Sequence, residues 1–276
     1  MRPSEVARRG ADYLERHGVE SARAESEALL QRILGIDRST LFTREDGLST
    51  AEAKAYGRAL CRRCTGTPLQ HLTGEQGFRG LILEVRPGVF VPRPETEIVV
   101  GVALQLVSDP APIVVDLCTG AGPIALSIAQ ERPGARVFGT DISLDAIALA
   151  TDNASRLRLP VRFLAGDLFE PLPADLRGAV HLVVANPPYL PLARRDGLPP
   201  EVRADPDASL FGDAADYERL FAGSLSWLRP GGGVAVEVDD TLAATVSTLA
   251  RDAGFDDVAV HRDLTERDRV VSGRRP

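Results

Sequence analysis

The residues best suited to chemistry stand in Val183-Val-Ala-Asn-Pro-Pro-Tyr189, where an apolar run leads directly into Asn186. The two prolines that follow fix the backbone and supply no N–H donors, so carbonyl groups remain as the available polar groups. The Asn186 side-chain oxygen and the Pro187 carbonyl then offer two acceptors, which match the two donors of a planar –NH₂ group. Tyr189 adds a flat face that can hold such a group in its plane. The element therefore indicates a site for a neutral amide or an aromatic amine.

A second group of functional residues is Asp116-Leu-Cys-Thr-Gly-Ala-Gly-Pro123, which follows one apolar run and precedes another. Gly120 and Gly122 allow the backbone to approach a ligand closely, and a helix that begins behind them would offer free N–H groups. Asp141 ends the next predicted strand, where its carboxylate could accept hydrogen bonds from both hydroxyls of a ribose. This combination is typical of a site for an adenosine-containing cofactor at the edge of a doubly wound sheet.

Two further carboxylates bear on the identity of that cofactor. Gly120-Ala-Gly-Pro-Ile-Ala125 also satisfies the dinucleotide-binding pattern, so NAD is an alternative. Asp116, however, stands four residues before the first glycine, where a carboxylate would repel a pyrophosphate and attract a cationic amino-acid end such as that of S-adenosylmethionine. Asp167, in Ala165-Gly-Asp-Leu-Phe169, is suited to accept a hydrogen bond from an adenine amino group. We therefore expect S-adenosylmethionine as the cofactor.

Hydrophobic periodicity predicts the elements that must position these residues. Apolar residues recur at helical spacing over residues 1–66, and the last of these helices is Thr50–Cys64, with Ser49 or Thr50 as its N-cap. Leu81–Val85 and Val89–Val91 are predicted as the two strands of a hairpin among glycines and prolines. Beyond Glu95, strands and helices alternate. The predicted strands are Ile113–Leu117, Arg136–Thr140, Val161–Ala165, Leu182–Ala185, Gly233–Val238, Val258–Val260 and Arg269–Ser272, and the predicted helices are Ile124–Glu131, Leu144–Arg156, Asp216–Leu228 and Leu242–Ala253.

This alternation predicts an α/β fold, a doubly wound and mostly parallel Rossmann-like sheet with helices on both faces. Three segments are expected: a helical-bundle recognition domain over residues 1–75, a β-hairpin linker over 76–92 and a catalytic domain over 93–276.

Composition places these elements in an ordinary globular protein. The 276 residues are 44% apolar and 26% charged, and no stretch approaches the roughly 20 consecutive apolar residues of a membrane span. The net charge is −7, from 32 basic and 39 acidic residues. Such a balance disfavours a protein that binds nucleic acid mainly by neutralising phosphates. With charged residues near Met1 instead of a signal-peptide core, we expect a cytoplasmic protein without nucleic-acid or membrane partners.

Other residues that could do chemistry are interpreted as structural. Cys61 and Cys64 have C-x-x-C spacing, but a structural zinc site needs four ligands and no second pair follows, so no metal is expected. Together with Cys118 they are expected to be reduced thiols. His181 lies in the segment Ala179–Ala185, several residues before Asn186, and is not placed to act as a base.

With these motifs in place, the sequence resembles a known family. Asn186–Tyr189 and Asp116–Gly122 together resemble class I S-adenosylmethionine-dependent amino-methyltransferases. Other segments narrow the resemblance to the HemK/PrmC family of protein-(glutamine-N5) methyltransferases, and they are Thr67–Gly74, Phe90–Glu97, Asp205–Gly212 and Asp263–Val271. The resemblance implies a reaction and a partner, namely methylation of the glutamine in the Gly-Gly-Gln loop of class I peptide-chain release factors.

The resemblance also implies roles for individual residues. Those implied to contact the cofactor are Cys118, Thr119, Gly120, Ala121, Gly122 and Asp141. Leu168, which follows Asp167, is a further implied cofactor contact. The substrate glutamine would lie against Asn186, Pro187, Pro188 and Tyr189. Asn186 would contact both the cofactor and the substrate, and it is then catalytic together with Pro187 and Tyr189.

Three positions depart from the family pattern. Cys118 replaces the usual glycine, Asp205-Pro206 replaces the usual Glu-Pro, and Val236–Asp240 lacks the glycine that usually follows its glutamate. Alternatives therefore stay open: a diverged member that N-methylates a small molecule or another protein, a nucleic-acid amino-methyltransferase, and a silent binding module. The acidic charge balance and the lack of a basic, aromatic-rich insertion disfavour the nucleic-acid enzyme. The presence of Asp116, Asp141 and Asn186 disfavours a binding module without catalytic activity.

Overall fold

A computed structural model describes all 276 residues, which divide into two compact units. The first unit comprises Met1–Glu75 and Gly197–Ala204. The second comprises Gln76–Asp196 and Asp205–Pro276. Neither unit contains a helix of the length and apolar character that a bilayer crossing requires.

The first unit is helical, as its apolar spacing predicts. Its helices are α1 (Pro3–Arg16), α2 (Ala22–Leu34), α3 (Arg38–Thr43), α4 (Thr50–Cys64) and α5 (Leu69–Thr73). Ser49 caps α4 in a reciprocal capping box with Glu52, which confirms the predicted start of that helix. Leu14, Leu29 and Leu30 are fully buried at the centre of the bundle.

The hairpin forms earlier in the chain than predicted. It joins β1 (Glu75–Phe78) to β2 (Leu81–Glu84), and Val89–Val91 belongs to no strand. The backbone N–H of Val91 donates to Asp205 Oδ1 at 3.1 Å, and Pro92 has no N–H to offer a neighbouring strand. The prediction of a second hairpin strand at Val89–Val91 was therefore wrong.

The second unit is a doubly wound α/β sheet. Its further strands are β3 (Ile113–Leu117), β4 (Arg136–Asp141), β5 (Val161–Ala165), β6 (Val180–Ala185), β7 (Leu228–Glu237), β8 (Asp256–Arg262) and β9 (Asp268–Arg274). Its helices are α6 (Glu97–Leu106), α7 (Pro123–Glu131), α8 (Leu144–Leu157), α9 (Asp207–Leu210), α10 (Ala214–Trp227) and α11 (Ala243–Ala253). The strand order is β5-β4-β3-β6-β7-β9-β8, and only β9 runs antiparallel to its neighbours. The predicted sheet is confirmed, although α6 was missed and Leu228 begins β7 where it was expected to end a helix.

Side-chain alternation along the strands divides the core into two layers. Val115 and Val183 pack on the face covered by α10 and α11, whereas Val114 and Val184 pack on the face covered by α6 and α7. Each central strand is thus buried on both sides, so its polar residues can reach ligands only at or beyond its carboxyl end.

Candidate active site

Strand register brings the ends of four strands into one row. Leu117 of β3 pairs with Thr140 of β4 and with Ala185 of β6, and Ala185 pairs with Val236 of β7. The residues that follow these four positions are Cys118, Asp141, Asn186 and Glu237. The sheet therefore collects the two predicted motifs at its carboxyl edge, where the strand order reverses between β3 and β6.

The glycine turn after β3 has the backbone conformation that the sequence predicts, but its two glycines are required for different reasons. Gly120 and Gly122 both adopt positive φ, 55° and 85°. A Cβ on Gly120 would meet nothing within 4 Å, so this residue borders open space. A Cβ on Gly122 would lie 2.9 Å from the Phe163 ring, so Gly122 is required by packing. Close approach of a ligand is thus supported at Gly120 alone.

Asp116 is wholly buried beneath this turn. Its Oδ2 accepts hydrogen bonds from the Thr119 hydroxyl at 2.6 Å and from the Ala125 N–H at 3.1 Å. Its Oδ1 is buried without a hydrogen-bond partner. Burial raises the pKa of Asp116 to about 7, although the bonds from Thr119 and Ala125 lower it. A buried acceptor that lacks a partner suits a ligand that brings a donor or a positive charge.

Asp141 is held in place by backbone donors. Its Oδ2 accepts from the Gly120 N–H and its Oδ1 from the Ser143 N–H, both at 2.9 Å. Each carboxylate oxygen retains acceptor capacity, because one hydrogen bond uses only part of it. Burial raises the pKa of Asp141. The group is therefore fixed at the strand end in a form that can still receive ribose hydroxyls.

Backbone strain marks two of the residues implied as cofactor contacts. Cys118 has φ 55° and Leu168 has φ 46°, both in the left-handed region that residues with a Cβ adopt at a cost. Burial, followed by the charges of the surrounding aspartates, raises the pKa of Cys118, so its thiol stays protonated. The Leu168 carbonyl accepts from the Thr140 hydroxyl at 2.7 Å, which ties this loop to β4.

The remaining residues implied as cofactor contacts have their side chains engaged within the protein. Thr119 is buried with its hydroxyl on Asp116, and Ala121 packs in a small cluster with Leu149. Thr119 and Ala121 would therefore contact the cofactor through their backbone atoms. Asp167 forms an ion pair with Arg219 at the surface, so an adenine amino group would share this carboxylate.

The Asn186–Tyr189 element leaves two acceptors free. Asn186 is half-buried, its Nδ2 donates to the Thr96 hydroxyl at 3.1 Å, and its Oδ1 receives no hydrogen bond from the chain. The Pro187 carbonyl also accepts none. The Tyr189 hydroxyl donates to Glu237 Oε1 at 3.4 Å, which anchors the ring, and the Pro188 carbonyl lies against Gly212, where a Cβ would come within 2.2 Å of it. These contacts leave the pair of acceptors that a primary amide requires.

Thr96 and Glu237 complete this part of the site, although no sequence motif assigns either residue a role. Glu237 is 2% exposed, and its Oε2 is buried without a hydrogen-bond partner. Burial raises the pKa of Glu237 to about 7, against the opposing effects of the Thr96 hydroxyl, the Arg269 charge and the Tyr189 hydroxyl. Two features of the sequence could have pointed to these residues: the Phe90–Glu97 segment contains Thr96, and Glu237 is an acid near the end of a predicted strand.

Asp205 is a buried acid that holds the segment containing Val91 and Arg93. Its Oδ1 accepts from the Val91 N–H, and its Oδ2 forms an ion pair with Arg93. The Arg93 guanidinium also lies 5.2 Å from the centroid of the Phe90 ring. Asp205-Pro206, which replaces Glu-Pro in the family pattern, therefore still supplies a carboxylate that binds Val91 and Arg93.

His181 has the structural role that its position predicts. Its Nδ1 accepts from the Ile113 N–H at 3.2 Å, and its Nε2 lies 3.2 Å from Asp109 Oδ2. Both ring nitrogens are thus engaged away from Asn186.

Comparison with solved structures bears out the fold class. A 16S rRNA N2 methyltransferase of T. thermophilus, solved with AdoMet and guanosine, matches 73% of this chain and 50% of its own length with a TM-score of 0.56 at 20% identity. The doubly wound sheet with a glycine turn after β3 is thus the class I S-adenosylmethionine-dependent methyltransferase fold.

The particular family follows from sequence. Residues 5–74 match the PrmC N-terminal domain and residues 83–195 match the methyltransferase small domain. The release factor glutamine methyltransferase of Mycolicibacterium smegmatis is 44% identical over 94% of this chain and 92% of its own length, and that of Streptomyces coelicolor is 42% identical over the same shares. The chain belongs to the release factor glutamine methyltransferase family. It is an S-adenosylmethionine-dependent methyltransferase, and the open space at Gly120 together with the partnerless Asp116 Oδ1 fits that cofactor.

Proposed function

We propose that this enzyme methylates the side-chain amide nitrogen, N5, of the glutamine in the Gly-Gly-Gln loop of class I peptide-chain release factors. The observation that carries the proposal is the pair of free acceptors, Asn186 Oδ1 and the Pro187 carbonyl, at the carboxyl edge of the sheet beside the glycine turn. Release factors act in translation, so the proposed reaction takes place in the cytoplasm.

The proposed mechanism rests on orientation of a poor nucleophile. The amide lone pair is delocalised into the carbonyl group, so the nitrogen must be held with both protons engaged and its face toward the methyl donor. Asn186 Oδ1 and the Pro187 carbonyl accept these two protons, and the Tyr189 ring supports the plane of the amide. S-adenosylmethionine supplies an activated methyl group when bound. Fixed geometry of this kind can lower a barrier by roughly 7–11 kcal/mol, and the surplus proton then leaves to water.

The N-terminal unit supports a release factor over a nucleic acid as the substrate. Methyltransferases of the same fold act on RNA, so the sheet by itself does not define the substrate. The match of residues 5–74 to the PrmC N-terminal domain and relatives at 44% and 42% identity over nearly the whole chain favour a release factor. We accordingly propose no direct nucleic-acid or membrane partner.

Asn186→Ala tests the proposal. Wild-type enzyme should transfer label from S-adenosylmethionine to an unmodified release factor and not to one whose loop glutamine is replaced. The N186A variant should lose roughly a hundredfold or more in kcat, because the amide loses an oriented acceptor, while much of its affinity for the release factor is retained. Gln105→Ala, which removes an exposed amide from α6, is the matched control and should retain full activity. Absence of label on the wild-type release factor, with cofactor binding intact, would refute the proposed substrate.

A further inference from the structure

Exposed apolar side chains gather at the carboxyl edge of the sheet. Of the eight large apolar residues that are exposed in this chain, four border this edge. Ile142 and Leu144 follow β4 on the cofactor side, whereas Leu192 and Leu264 lie on the side of the Asn186–Tyr189 element. Leu192 is 65% exposed and Leu264 is fully exposed. Single exposed leucines are common on protein surfaces, so the way in which these two are held decides whether they have a role.

Leu264 stands at the tip of the β8–β9 hairpin, next to the end of β7. Val270 of β9 pairs with Glu237 of β7, and β9 runs antiparallel to both β7 and β8. The short turn between β8 and β9 therefore emerges at the same edge as Glu237. The Val238 N–H donates to the Arg269 carbonyl at 2.9 Å, which joins the hairpin to the residue after β7.

The turn that carries Leu264 is fixed by its own hydrogen bonds. Asp263 Oδ1 accepts from the Thr265 N–H at 2.8 Å, from the Thr265 hydroxyl at 2.6 Å and from the Arg267 N–H at 3.2 Å. The Asp263 N–H donates to the Arg267 carbonyl at 2.9 Å, and Asp263 Oδ2 forms an ion pair with Arg269. A preorganised turn loses little freedom when a partner binds it. Leu264 is thus presented to solvent in a defined position.

Leu192 belongs to the segment that follows β6. It lies three residues after Tyr189 and begins the 3₁₀ turn Leu192–Gly197. Arg194 of this turn forms an ion pair with Asp239. Both leucines are therefore carried by segments that contact the two residues after β7, beside the element that would bind the substrate glutamine.

Several charged groups around the two leucines are already paired within the chain. Arg262 forms ion pairs with Glu266 and Asp268, and Arg269 forms one with Asp263. Arginines neutralised in this way offer little to phosphate groups, whereas an exposed leucine gains by contact with an apolar surface. The chemistry of this edge therefore suits a protein better than a nucleic acid.

We propose that Leu192 and Leu264 form a docking surface for the release factor, in contact with apolar residues beside its Gly-Gly-Gln loop. This inference rests on the proposed function, because a loop glutamine that reaches Asn186 brings the surrounding surface of its protein to the same edge. The two leucines contribute to the affinity for the protein substrate, and methyl transfer itself depends on the Asn186–Tyr189 element.

Substitutions at the two positions test this surface. L192A and L264A should each raise the KM for the release factor roughly fivefold to thirtyfold, the range found for influential residues of protein interfaces. The kcat and the Kd for S-adenosylmethionine should not change. L264M keeps an apolar side chain and should have a KM near that of wild type, whereas L264E should raise KM at least as much as L264A. Ile82→Ala, at an exposed position on the β1–β2 hairpin, is the control and should leave all three constants unchanged.

The outcomes separate the docking surface from the proposed function. Absence of label on the release factor with wild-type enzyme would refute both. Wild-type methylation that is lost in N186A, together with a wild-type KM in either L192A or L264A, would overturn the docking surface alone, as would a fall in kcat without a rise in KM. Sedimentation of the enzyme by itself tests the other occupant: a dimer that L264E dissociates, with KM unchanged, would show that the leucines contact a second copy of this chain instead.

Discussion

Replacement of Asp116 by asparagine is expected to remove most of the pH dependence of S-adenosylmethionine binding. Asp116 is fully buried, one of its oxygens has no partner, and its pKa is raised to about 7. A carboxylate is the form that attracts the cationic amino-acid end of the cofactor. The cofactor should therefore bind preferentially to enzyme in which Asp116 has lost its proton.

The size of the effect follows from the fraction of ionised Asp116. With a pKa of about 7, roughly a tenth of this carboxyl group is ionised at pH 6 and roughly nine tenths at pH 8. An apparent Kd scales inversely with the competent fraction. Wild-type enzyme should thus bind S-adenosylmethionine about tenfold more weakly at pH 6 than at pH 8, with little further change above pH 8. D116N, which has no charge to gain, should show the weak Kd throughout.

Isothermal titration calorimetry at pH 6, 7 and 8 measures these affinities, and buffers of different ionisation enthalpy reveal the proton released on binding. Asp141, whose pKa burial also raises, accounts for any dependence that persists in D116N. Asp252→Asn, at an exposed position on α11, is the charge-matched control and should behave as wild type. A wild-type Kd that is constant between pH 6 and 8, or a D116N Kd equal to that of wild type at pH 8, would contradict the assigned role of Asp116.

Two further substitutions test the frame around the site. Asp205→Ala leaves the Arg93 guanidinium and the Val91 N–H without their buried acceptor. Urea unfolding should therefore show that the free energy of unfolding falls by about 3 kcal/mol. A fall of less than about 1 kcal/mol would mean that water replaces the carboxylate. Cys118→Gly removes a Cβ from a left-handed residue and should raise the free energy of unfolding by about 1 kcal/mol. A lower Tm together with weaker cofactor binding in C118G would show instead that packing of the thiol outweighs the backbone strain.

The sequence predicts the sheet and the two motifs well because both depend on local signals. Apolar runs such as Ile113–Leu117 are buried on both faces, so their composition alone marks them as strands. The Asn186–Tyr189 element and the Asp116–Gly122 turn each combine a strand end with residues of restricted backbone, and parallel strands necessarily bring such ends to one edge.

Contacts between segments far apart in the chain could not be predicted in this way. Asp205 reaches Val91 and Arg93 across more than a hundred residues, and that contact removes the strand expected at Val89–Val91. Thr96 carries no chemical signature of its own, because its role depends on the neighbours that the fold places beside it. The different reasons for glycine at positions 120 and 122 likewise depend on where Phe163 packs, which no local pattern records.

The chain beyond residue 75 is acidic, and several of its acids lie around the glycine turn. Residues 76–276 contain 20 basic and 28 acidic residues, whereas residues 1–75 contain 12 and 11. The charges of Asp141, Asp116, Asp216 and Asp167 all act on Cys118, so their potentials add at the turn where the cofactor is expected to lie. A negative potential at this turn favours a cationic ligand over a pyrophosphate, which agrees with S-adenosylmethionine as the cofactor.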